Sequence, residues 1–185
     1  SCDSFLNQPP YDDFTDEEYW QNEDQARTYM YGFYTSVFSG YGTGTSHGPF
    51  LMGQTLNDDF ASDVEQKDLT PLVVPETDGS WSFSNIRKAN YALASIERID
   101  ATPAAKNHWR GVARFFRACY YSNLVFRYGD VPWYDRVPKL SDRKEDMDYL
   151  YKDRDPRAFV DSCIMADFQY AMDSVRENDG PMHIN

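Results

Sequence analysis

Apolar residues recur with helical spacing in four stretches of this chain, and the segments between them are polar or broken by proline and glycine. From Ala26 to Phe38, the residues Ala26, Tyr29, Met30, Phe33 and Val37 keep the period. Asn22, with Gln25 three residues on, has the form of a capping box for that helix, and Thr15 with Glu18 has the same form for an earlier start. Ser39-Gly40 is expected to end the helix. From Trp81 a second helix is predicted, with Ile86, Ala89, Asn90, Leu93 and Ile96 on one face. Asp100-Ala101 then turns the chain and Thr102 is placed to cap. Pro103 takes the first helical position, where its missing N–H costs nothing, and the helix runs to about Tyr128. Residues 81–128 therefore predict an antiparallel helical hairpin. Residues 129–154 read as irregular. Asp155-Pro156 has the form of a cap followed by a first-turn proline. Beyond it Phe159, Val160, Cys163, Ile164, Phe168, Ala171, Met172 and Val175 predict a strongly amphipathic helix, ended by Gly180-Pro181.

The helix from Pro103 to Tyr128 is apolar on nearly every side. Val112, Phe115, Phe116, Cys119, Tyr120 and Phe126 gather on one side, and Arg110, Arg114 and Arg117 make a stripe on the other. One turn later that second side carries Tyr121, Leu124, Val125 and Tyr128. Such a helix is covered by neighbours on more than one side, as in stacked tetratricopeptide-like hairpins. Its aromatics are read as core rather than as a ligand platform. The arginines have two readings, a solvated stripe or pairing with carboxylates of adjacent helices, to which the guanidinium fork is suited. Gly129 is the helix stop, and Pro132 prevents continuation.

Two regions lie outside the helical pattern. "CDSFLNQPPYDDF" reads as an extended tether, because Pro9-Pro10 forbids helix. Residues 39–80 have no sustained period: "SGYGTGTSHGPF" is glycine-rich, "NDDFASDVEQKD" is acidic, and "PLVVPETDG" has room for a short strand. A loop of that length is uncommon in a domain unless it is functional. It is not a phosphate loop, since no strand precedes it and no Gly-Lys-Ser/Thr closes it.

Charge narrows the partners. The 185 residues include 30 acidic and 18 basic side chains, a net −12. That excess argues against nucleic acid and against docking on an anionic membrane, and leaves neutral sugars and peptides open. No run of apolar residues is long enough to span a bilayer. Cys2, Cys119 and Cys163 have neither metal spacing nor the form of a disulfide framework, and the last two read as small buried hydrophobes. Cys2, preceded by the small Ser1, stands as the first residue of a mature bacterial lipoprotein stands after signal-peptide removal; a chance terminal cysteine is the alternative. His47, His108 and His183 lack partners at ligand spacing, so no metal is expected. The acidic loop lacks the regular spacing of a known calcium loop. Asp58, Asp59, Asp63 and Glu65 offer carboxylates, but glycoside hydrolysis needs two that flank one bond at a set separation, and adjacent acids on a polar loop are usually solvated. No catalysis is expected and no cofactor is implied.

The run "GVARFFRACYYSNLVFRYGDVPW", residues 111–133, resembles the signature helix of the SusD/RagB family, in which a Gly-x-Ala-x-x-x-Arg-Ala-x-x-Tyr helix runs into a Tyr/Phe-Gly-Asp/Gly-Val-Pro exit. The matching residues are Gly111, Ala113, Arg114, Arg117, Ala118, Tyr120, Tyr121, Leu124, Tyr128, Gly129, Val131 and Pro132. "WSFSNIRKANYAL" is similar through Trp81, Ile86, Ala89 and Asn90, and "TDEEYWQNEDQARTYMYGFY" through Thr15, Trp20, Gly32 and Tyr34. "RDPRAFVDSCIMADFQYAM" resembles the helix beyond the exit, and Cys2 fits the family's lipidated N-terminus.

The resemblance implies an all-α protein of tetratricopeptide-like hairpins with a long irregular insertion. It would be lipid-anchored at the cell surface, outside the outer membrane. There it would lid a SusC-like TonB-dependent transporter and capture oligosaccharides, or less often peptides, for uptake. Family members are much longer, so residues 1–14 read as the anchor tether and residues 15–185 as the N-terminal part of such a domain. A helical scaffold for protein partners, without a small ligand, is the competing reading. Sugar recognition needs aromatic faces and planar polar groups on a concave surface. Tyr41, His47, Phe50, Asn57, Asp58, Asp59 and Asp63 offer that mixture. In the family, the connection after the first helix and the approach to the Trp-Ile-Asn helix contribute to the glycan site. Asp58, Asp59 and Trp81 are therefore the candidate ligand-binding residues, with Tyr41 behind them; for Trp81, packing on the hairpin is the alternative.

Overall fold

The computed structural model describes residues 19–38, 81–137 and 143–177. Five helices follow in order: α1 Glu23–Val37, α2 Ser84–Ile96, α3 Pro103–Tyr128, α4 Lys144–Leu150 and α5 Arg157–Ser174. Among the described residues, ladder pairing is confined to two isolated bridges, Asn22 with Asp100 and Val131 with Asp155. The fold is all-α. The tether with Cys2, the Thr15–Glu18 start, residues 39–80 with Tyr41, His47, Asp58 and Asp59, and His183 with Gly180-Pro181 lie outside the described residues.

The local signals explain most helix ends. Gln25 N–H donates to Asn22 Oδ1 at 3.1 Å and Gln25 Oε1 accepts from Asn22 N–H at 3.0 Å, so the capping box at α1 is closed in both directions. Thr102 Oγ1 accepts from Ala105 N–H at 3.2 Å, with Pro103 behind it in the first turn of α3. That helix stops at Gly129, whose φ of 72° is open to glycine and strained for other residues.

Several expectations need correction. The second helix begins at Ser84 rather than Trp81. Residues 144–150, read as irregular, form α4, a seven-residue helix whose buried residue is Asp146 rather than an apolar one, so no hydrophobic period announced it. Asp155 does not cap α5. Its carboxylate accepts from Trp133 N–H at 2.7 Å and from Lys152 Nζ at 2.6 Å. The cap comes from the α3 exit instead, where Asp130 Oδ1 accepts from Arg157 N–H at 2.8 Å. α5 is not the strongly amphipathic helix expected: its apolar positions spread around the helix, so Val160, Ile164 and Ala171 are buried, whereas Phe159 and Met172, with Val175 just beyond, are exposed. Phe126, placed with the buried side of α3, is 91% exposed.

α3 is the centre of the fold and packs against α1, α2 and α5. This is the multi-sided burial that an all-round apolar helix requires. Phe116 and Tyr121 are among the largest fully buried side chains, and the Phe116 ring stacks on Phe33 of α1 at 5.3 Å between centroids. α3 and α5 approach closely where α3 carries Gly111. A Cβ there would lie 2.9 Å from Val175 Cγ2 and 3.3 Å from Ser174 Cβ. Gly111→Leu is therefore expected to destabilise the fold by about 1–3 kcal/mol through overpacking. It should do so although leucine is the better helix former by about 0.8–1.0 kcal/mol. Urea denaturation followed by circular dichroism measures the net sign; a stabilised variant would mean that the end of α5 is not seated on α3.

Candidate functional site

The exit of α3 is held by side chains that reach it from three helices. Arg117 on α3 is 5% exposed and grips Asp167 of α5 with two hydrogen bonds, Nε to Oδ2 at 2.7 Å and Nη2 to Oδ1 at 2.8 Å. Its Nη1 donates to Asn90 Oδ1 of α2 at 2.7 Å and to the Asp135 carbonyl at 3.2 Å, and its guanidinium lies 5.1 Å from the centre of the Trp133 ring. Of the two readings of the arginine stripe, the paired one is correct. Arg110 reaches Glu97 at 3.0 Å, and Arg114 lies 3.9 Å from Asp167 with its guanidinium over Tyr170.

The segment after Gly129 has no regular structure, yet its backbone is well partnered. Asn90 Nδ2 donates to the Tyr134 carbonyl at 2.9 Å. Tyr134 N–H donates to the Tyr121 hydroxyl at 2.6 Å, which in turn donates to the Pro132 carbonyl at 3.3 Å. Asp135 N–H and Arg136 N–H both donate to the Tyr149 hydroxyl of α4, at 3.0 and 3.1 Å. Burial pushes the phenols of Tyr121, Tyr134 and Tyr149 above their ordinary range, so each stays protonated at neutral pH. The segment is thus held by side chains of α2, α3 and α4 and forms a wall.

That wall bounds a cavity of about 350 Å³, within the size range of small-ligand pockets. Phe83, Ile86, Tyr134 and Leu150 give it apolar sides, and Arg87 and Arg136 bring positive charge. Phe83 meets Tyr134 edge to face at 5.5 Å and Trp81 at 5.3 Å. Trp81 packs on Phe83 but does not itself line the cavity. It is 37% exposed, with Tyr128 edge-on at 4.9 Å and the Arg154 guanidinium 4.8 Å over its ring. Neither a pure core residue nor a bare platform, it is a partly exposed aromatic with one side packed. Whether Asp58, Asp59 and Tyr41 come near it lies outside the described residues. Phe83, Tyr134 and Arg136 were missed by sequence reading. The only signal of Tyr134 and Arg136 was the aromatic run after the glycine stop, "VPWYDR", which reads equally well as packing, and Phe83 stood unremarked in "WSFSN".

Other candidates resolve plainly. His108 is buried, with Nδ1 accepting from Arg176 N–H at 3.1 Å, which is a structural role. Cys119 and Cys163 are half-buried free thiols that burial pushes up. Among the described residues, no three His, Cys, Asp or Glu side chains converge as a metal site, and no helix is long and apolar enough to cross a membrane.

No family model and no curated protein matches this chain. Solved structures do match. One, a crystal structure of a SusD-like protein from Bacteroides fragilis, aligns with a TM-score of 0.62 at 21% identity over 96% of this chain and 34% of its own. The likeness shows a SusD-like fold, and this chain spans about a third of the length of that protein.

Proposed function

We propose that this chain is the N-terminal part of a cell-surface lipoprotein that binds oligosaccharides and delivers them to a SusC-like TonB-dependent transporter in the outer membrane. The observation that carries the reading is a cavity lined by Phe83 and Tyr134, with Trp81 packed edge to face on Phe83, on a SusD-like fold. Pyranose rings present apolar C–H faces that aromatic rings cover, and equatorial hydroxyls that planar polar groups hold. A wall already held by hydrogen bonds loses less conformational entropy on binding, which favours weakly held ligands such as sugars. The role is capture rather than catalysis. In the same reading, residues 1–14 are the tether and Cys2 carries the lipid, with several acyl chains because one alone holds a membrane only marginally. Asp58 and Asp59 hold sugar hydroxyls, and Tyr41 is the weaker candidate for a sugar face.

Calorimetry of the full-length protein against a panel of oligosaccharides and short peptides tests this. A cognate glycan should bind, and Trp81→Ala should weaken it by about 1–2 kcal/mol, as truncating an aromatic anchor does, with the circular dichroism unchanged. Unaltered affinity would move the site away from this cavity. Binding of peptides and of no glycan would make the protein a peptide-uptake lipoprotein.

A further inference from the structure

In a chain with a net charge of −12, a guanidinium without a carboxylate is conspicuous. Arg27 pairs with Asp24, Arg110 with Glu97, Arg117 with Asp167, Arg157 with Asp161 and Arg176 with Glu23. Among the described residues, Arg87, Arg136 and Arg154 have no carboxylate partner. Arg87 and Arg136 line the cavity, and Arg154 lies over Trp81, which packs on Phe83 of that lining. Two of them are held by rings, Arg136 over Tyr149 at 4.1 Å and Arg154 over Trp81 at 4.8 Å. Stacking occupies the face of a guanidinium and leaves its in-plane N–H donors free to fork onto an oxyanion. The nearby carboxylate of Asp135 accepts from the Tyr149 hydroxyl at 3.0 Å and forms no ion pair with them.

We infer that the cavity takes an anionic oligosaccharide, with the carboxylate or sulfate of one sugar between Arg87 and Arg136 and a neighbouring ring against Phe83 and Trp81. The inference rests on the glycan-binding reading and narrows its substrate class. An acidic protein repels a polyanionic glycan over most of its surface, so local positive charge at the cavity gives both register and selectivity. A neutral sugar of the same shape would cover the guanidiniums without supplying oxyanions to them, and is disfavoured for that reason.

The test uses the full-length protein in calorimetry at low and at high salt. The probes are an oligogalacturonate, its carboxyl-reduced neutral counterpart and a sulfated disaccharide. One of the two anionic probes should bind at least about tenfold more tightly than the reduced sugar, as charge-assisted hydrogen bonds imply, and which one does so identifies the anion. The preference should shrink with added salt. Arg87→Gln with Arg136→Gln should abolish it while leaving the fold intact, since neither residue supports another side chain by an ion pair. Equal binding of the reduced sugar would overturn the inference and leave the glycan reading standing. A preference for the anionic probe that survives the double substitution would also overturn it, by placing the anion elsewhere. Binding of an acidic peptide and of no sugar would remove both readings.

Discussion

Asp167→Ala is expected to cost about 3–5 kcal/mol of folding stability, the range for removing one partner of a buried ion pair. Asp167 is 3% exposed and accepts both hydrogen bonds of the Arg117 fork at 2.7 and 2.8 Å. Without it, Arg117 keeps only Asn90 Oδ1 and the Asp135 carbonyl, neither of which carries a compensating charge. The loss should be specific to breaking the pair rather than to lacking it. Arg117→Met combined with Asp167→Leu should recover much of the stability, because buried ion pairs are often no better than apolar residues of similar volume. Urea denaturation of the single and double variants separates the two cases. A cost below about 1 kcal/mol for the single variant would mean that the pair behaves as a surface one.

The second large effect sets two phenylalanines of one helix against each other. Phe116→Ala should cost about 3–5 kcal/mol, from lost transfer energy and the cavity left behind. Phe116 is 1% exposed and meets Phe33 at 5.3 Å, Tyr34 at 4.9 Å and Phe115 at 5.3 Å between ring centres. Phe126→Ala should change stability by no more than about 0.5 kcal/mol, since its side chain is 91% exposed. Thermal or urea unfolding of both variants checks the contrast; similar losses would mean that Phe126 is covered in the whole protein.

That pair also marks how far periodicity can be trusted. Val112, Phe116, Tyr120 and Phe126 share a side of α3 by helical spacing, but a face is buried only where a neighbour reaches it. Phe116 and Tyr120 meet α1 through Phe33 and Ser36, whereas Phe126 lies more than a turn beyond them. α5 repeats the lesson: its apolar positions are spread around the helix, yet it packs chiefly on α3, so one stripe is buried and Phe159, Met165 and Met172 face outward. Signals confined to a few adjacent residues were legible. The Asn22–Gln25 box, the Thr102–Pro103 start and the Gly129 stop each depend on atoms within one turn of chain. The cap of α5 was not legible, because Asp130 supplies it across 27 residues of chain and displaces the adjacent Asp155 from that duty.

The candidate site was half legible for the same reason. Trp81 could be named from its own motif. The cavity arises where the start of α2 meets the segment after Gly129, at Phe83 with Tyr134 and at Asn90 with the carbonyls of Tyr134 and Arg136. No pattern within either stretch encodes that meeting. The Arg117 fork itself left a trace in the sequence, an arginine stripe on a largely apolar helix, and what the trace could not disclose was which of the many acids would answer it.

The fork also sets a timetable. Asp167 follows Arg117 by 50 residues, so as the chain emerges N-terminus first, α3 is complete well before its partner exists. At about 5–20 residues per second of synthesis the interval is roughly 3–10 s. During it the side of α3 destined for α5 has no cover. An arginine at that position remains charged and hydrated while it waits, and keeps the uncovered side from joining another chain. A leucine there would leave Asp167 without its partner in the finished protein, and an unfinished one with an open apolar stripe.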